Sequence, residues 1–84
     1  MPTYEAYKFL TPKDDEDKPF AIVWWNGKNL KSTDESLLKR LKDQVVDGMD
    51  YSSGKPFFDR IPSIYRSGYV YTLDAVVDAN GNEV

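Results

Sequence analysis

The chain has 84 residues, a net charge of −3, and neither histidine nor cysteine. Those two absences exclude histidine acid–base and metal chemistry, cysteine nucleophiles, disulfides, thiolate zinc sites and iron–sulfur clusters. Carboxylate, lysine, tyrosine and hydroxyl chemistry remains, in a length that makes one small domain.

A domain of this size buries only about 60–65% of its unfolded surface. With no covalent staple, its core rests on packing, and two Trp, six Tyr and four Phe are the material for it. There is no run of about 18 apolar residues, so no membrane span is expected. Met1 to Leu10 lacks the basic start and apolar stretch of a signal peptide, which makes a cytoplasmic location the expectation.

Residues 3–10, rich in aromatics and free of Gly and Pro, read as a strand with Tyr4, Ala6 and Leu10 on one face and Tyr7 and Phe9 on the other. Residues 11–19 read as a loop between Pro12 and Pro19. It holds the acidic run Asp14, Asp15, Glu16 and Asp17, whose mutual repulsion favours solvent. Phe20 to Trp25 is apolar at every position and reads as a central strand wanting cover on both faces. Asn26-Gly27 signals a tight turn, and Lys28 to Lys31 a short return strand.

Residues 32–47 are expected to be a helix. Ser32 and Glu35 have capping-box spacing, as Thr33 and Ser36 do more weakly. Leu37, Leu38, Leu41, Val45 and Val46 form the apolar stripe, and Gly48 is the stop. Residues 49–68 are irregular, with a short helical turn from Pro62 to Ser67. Tyr69 to Val77 is the last strand, with Tyr69, Tyr71, Leu73, Ala75 and Val77 assigned to the core face. Asn80-Gly81 turns a short tail. The result is α+β: one domain over residues 1–84, a small antiparallel sheet of three or four strands with one main helix on one face, ordered β-β-(β)-α-β.

No motif carries a specific chemistry. Ser53-Gly54-Lys55 lacks the earlier glycine and the following hydroxyl of a phosphate loop. Asp78 to Glu83 has oxygens at alternate positions but no glycine at the sixth and no carboxylate at the twelfth position of a calcium loop. Asp59 and Asp74 are the isolated acids that a carboxylate pair would need. No catalytic residue, metal site or cofactor is therefore expected. The aromatic surplus beside an acidic run instead suggests a non-catalytic binding module, a small inhibitor or adaptor of the kind phages and other mobile elements encode. Trp24 or Trp25, with Phe57 or Tyr65, are the candidate anchors. Asp14, Asp15, Glu16 and Asp17 would steer toward a basic protein partner, and a homodimer covering the second sheet face is also allowed. The alternative is single-stranded nucleic-acid binding through Tyr69, Tyr71, Arg60 and Arg66. A net negative charge opposes it by forgoing counterion release, and likewise opposes binding to anionic membranes.

Overall fold

The computed structural model describes residues 2–43, 45–46, 49–50, 54–65 and 70–84, without the side chains of 45, 46, 49, 50 and 64. The elements are β1 (Tyr4–Leu10), β2 (Ala21–Trp25), β3 (Leu30–Ser32), α1 (Glu35–Lys42), β4 (Val45–Val46), β5 (Met49–Asp50), α2 (Lys55–Ile64) and β6 (Tyr71–Val77). The main sheet is antiparallel in the order β3-β2-β1-β6, and β4 and β5 form a separate two-stranded ladder. The α+β class and the antiparallel sheet stand, with a second helix added.

The register sets the two faces. Tyr7 lies opposite Val23 and Asp74, and Phe9 opposite Ala21 and Thr72. These residues look toward the helices, where Phe9, Ala21, Val23 and Leu30 pack against Leu37 and Leu41 of α1 and Phe57, Phe58 and Ile61 of α2. Both helices thus cover the same face. Phe57 and Phe58 of α2 join Leu37 and Leu41 of α1 in the cluster on that face. That second face carries a smaller cluster of Ala6, Trp24 and Val77, flanked by Tyr4, Ile22 and Ala75. Tyr71, Leu73 and Ala75 stand on it half-exposed. Their assignment to the main core is therefore corrected: period-2 alternation says which residues share a face, not which face the helices choose.

Two helix boundaries also differ from expectation. Asp34 is the N-cap of α1, its Oδ1 accepting from the Leu37 N–H at 3.1 Å. Ser32 closes β3 and accepts from the Asp34 N–H, and the Thr33 hydroxyl accepts from the Ile22 N–H. Helix α1 stops at Lys42 with Asp43 as C-cap, and Val45 and Val46 form a strand. Adjacent β-branched residues are stiff at χ1 and suit a pleated strand better than a helix. Gly48 lies outside the described residues. Helix α2 opens with Pro56 in its first turn and carries Pro62 inside it. Its start signal is Pro56, since a first-turn proline loses no needed N–H; the expected helical turn from Pro62 is overtaken by a helix that begins seven residues earlier and carries Pro62 inside it.

The second face is closed at one end by the C-terminal segment. Val84 N–H donates to the Val76 C=O and Asp78 N–H to the Asn82 C=O. Asp78 Oδ1 in turn accepts from the N–H groups of Asn80 and Asn82. Those donors hold the Asp78 carboxyl below its ordinary value of 3.8. A carboxylate whose folded pKa is depressed stabilises the fold above its unfolded pKa and stops doing so as pH falls through the folded one. The melting temperature is therefore expected to fall on acidification below about pH 4, by less in Asp78→Asn than in the native chain. An identical acid limb in both, followed by circular dichroism, would sink this assignment.

Candidate binding surface

The acidic loop is more ordered than four adjacent carboxylates suggest. Asp14 Oδ2 accepts from the Thr11 N–H at 2.8 Å and from the Thr11 hydroxyl at 3.0 Å. Asp14 is thus committed to holding the turn. The Lys18 backbone N–H donates to the Asp15 C=O at 2.9 Å, and the Glu16 C=O accepts from Lys8 Nζ at 2.9 Å. Lys8, 9% exposed, stands on the second face and also reaches Glu83 Oε2 at 3.4 Å. One buried ammonium therefore ties the loop and the C-terminal segment to the sheet, while the Asp15, Glu16 and Asp17 side chains point into water. A carbonyl and a carboxylate offset the cost of desolvating that charge.

Directly after the loop comes Phe20, 39% exposed. Its ring meets Phe9 edge-on at 6.3 Å, and Phe9 meets Tyr65 edge-on at 5.2 Å. Phe9 is fully buried and Tyr65 half-buried. The three rings run from solvent into the core and out again, so a rigid aromatic edge stands at the base of the acidic loop. The proposed anchors separate accordingly. Tyr65 belongs to this edge. Trp24 and Phe57, at 6% and 1% exposure, are interior and not offered to a partner. Trp24 lies against Gly81 on the second face; Trp25 is half-buried on the helix side, its ring against Gly54. Phe20 was the missed residue. Its signal was its position, the first apolar residue after Pro19, where strand burial has not yet begun.

The two described nucleic-acid candidates stand on opposite sides of the sheet. Arg60 belongs to α2 on the helix side and Tyr71 faces the opposite side, while Arg66 and Tyr69 lie outside the described residues.

A second feature is an open cleft of about 440 Å³ between α2 and the β1–β6 pair, lined by Glu5, Tyr7, Lys55, Asp59 and Asp74. Here the two isolated acids meet. Lys55 Nζ bonds Glu5 Oε2 at 3.1 Å and also Asp59, and lies 5.3 Å from the centre of the Phe58 ring. Tyr7 stacks on Phe58 at 4.6 Å. The hydrogen bond that Lys55 donates to the Asp59 carboxylate pushes the ammonium above its usual range. Burial, followed by the charges of Asp59 and Asp74, pushes the Tyr7 hydroxyl upward as well. Both groups keep their protons at neutral pH. The cleft thus presents a hydroxyl and an excess of carboxylate. Among the described residues no cluster of three metal-ligating side chains exists.

The chain matches no family model, no curated protein and no solved structure. No described helix is long and apolar enough to cross a membrane.

Proposed function

We propose that the protein is a non-catalytic binding module, a small inhibitor or adaptor, that grips a protein partner through the acidic loop and the aromatic edge beneath it. The observation that carries this reading is the juxtaposition of exposed Asp15, Glu16 and Asp17 with Phe20, itself set edge-on against the buried Phe9. A rigid ring beside charged groups is the arrangement of an interface anchor with a polar rim: the ring supplies most of the affinity and the charges guide approach. The partner then presents an apolar recess bordered by lysine or arginine. Asp14 is not part of this contact, since its carboxylate is spent on Thr11. A cytoplasmic setting fits a chain without cysteine.

Tagged protein is used to recover partners from a native lysate, and the binding rates are then measured. Phe20→Ser is expected to weaken the complex by about thirtyfold or more, a loss of ~2 kcal/mol at an anchor, with little change in melting temperature. The triple variant Asp15→Asn, Glu16→Gln, Asp17→Asn is expected to slow association roughly tenfold at low salt, the difference vanishing when salt screens it. A partner held equally by all three proteins, or none recovered, would overturn the reading.

A further inference from the structure

The sheet ends in two unequal edges. Strand β3 is three residues long and runs at once into the α1 cap, a short edge of the kind that discourages pairing. Strand β6 is seven residues long. Val84 N–H bonds the Val76 C=O from outside the β1–β6 pair, which fixes the direction in which alternate backbone groups of β6 point. In an antiparallel ladder, residues two apart present both N–H and C=O to the same side. Thr72 and Asp74 therefore turn theirs outward, as Val76 does. Among the described residues no group pairs with the outward N–H and C=O of Thr72 and Asp74.

The flanks of this edge differ in chemistry. On the helix side stand Thr72, Asp74 and Val76, with Asp74 on the wall of the cleft that holds Glu5, Asp59 and Lys55. Three carboxylates against one ammonium leave that cleft negative. On the other side stand Leu73 and Ala75, both half-exposed, with Ala75 packed on the cluster that Ile22 and Tyr4 also flank. A strand laid along the edge would place every second side chain over the acidic cleft and the alternate ones beside Leu73.

We infer that β6 is a strand-addition site for an extended segment of a partner protein that alternates basic and apolar side chains, its outward backbone pairing with Thr72 and Asp74 and its lysine or arginine entering the cleft beside Asp74. The charge pattern selects this occupant over a second copy. β6 itself, Tyr71–Val77, carries Asp74 and no basic residue, so self-pairing adds carboxylate to a site already in excess. Strand addition draws affinity from main-chain hydrogen bonds and specificity from alternate side chains. The site is separate from the loop surface, and either can fail without the other.

The test uses the full chain and a short capped peptide alternating valine with lysine. Two control peptides replace lysine with glutamate, or carry N-methyl groups along one backbone edge. Nuclear magnetic resonance follows amide shifts and deuterium exchange. The expected result is saturable binding of the lysine peptide with slowed exchange at the Thr72 and Asp74 amides, absent with either control. Asp74→Asn is expected to weaken it roughly three- to fivefold. Binding without protection at those two amides, equal binding of the glutamate peptide, or no binding would overturn the inference. So would protection that appears without peptide and grows with protein concentration, since that assigns the edge to a second copy.

Discussion

Gly81→Ala is expected to be among the most damaging single substitutions in the chain. Gly81 sits at φ +85°, and a Cβ there would lie 2.6 Å from two atoms of the Trp24 ring. Two costs add. A side chain in the left-handed region costs about 1–2 kcal/mol, and overpacking against a buried ring costs about 1–3 kcal/mol more. The ring has little freedom to retreat, since Trp24 is 6% exposed and packs with Ala6 and Val77. At ~4–8 °C per kcal/mol for a domain of this size, the melting temperature should drop by about 8 °C or more. Asn80→Ala on the same turn is the control, since Asn80 is exposed and contributes its N–H rather than its side chain. Equal melting temperatures for Gly81→Ala and the native chain would show that the C-terminal turn does not seat on Trp24.

Phe9→Ala is the second large effect. Phe9 is fully buried, lies in the main cluster between sheet and helices, and supports both Phe20 and Tyr65 edge-on. Removing a buried phenyl ring costs about 3–5 kcal/mol, a large part of the ~5–15 kcal/mol that holds a typical domain. Chemical denaturation is expected to give a midpoint far below the native one, or no folded baseline. Phe9→Leu keeps most of the volume and separates two roles. It should cost less than about 2 kcal/mol while withdrawing the ring that orients Phe20. Partner affinity should then fall further than stability does. Native-like affinity in a folded Phe9→Leu protein would show that Phe20 needs no support.

Local chemistry was the legible part. The run Phe20–Trp25 announced a central strand, and β2 does lie between β1 and β3. The apolar spacing of Leu37 and Leu41 announced the buried stripe of α1. What stayed hidden depends on contacts between distant segments. Phe57, Phe58 and Ile61 have the spacing of a helix face, yet Pro62 beside them argues for a break. Packing against β2 and β6 settled the matter in favour of a helix that carries its proline. Asp59 and Asp74 are legible as the two isolated acids, but not as neighbours. Their meeting in one cleft required α2 to fold onto the β1–β6 pair. Phe20 and Tyr65 are 45 residues apart, and only the shared contact with Phe9 reveals them as one edge.

The neighbouring indoles have a photophysical consequence. Trp24 is sealed against Ala6 and Val77, and among the described residues its Nε1–H finds no acceptor. Trp25, on the opposite side of the same strand, is half in water. Their Cα atoms are only ~3.8 Å apart, well within the range of excitation transfer. The dry indole is expected to emit toward the blue and to pass excitation to the wetter one, so Trp25 should dominate the native spectrum; a Trp25→Phe variant with an unchanged emission maximum would refute this. A loosening of the C-terminal turn that wets Trp24 is then expected to shift the emission little, so that natural fluorescence would follow the helix layer more closely than the other face.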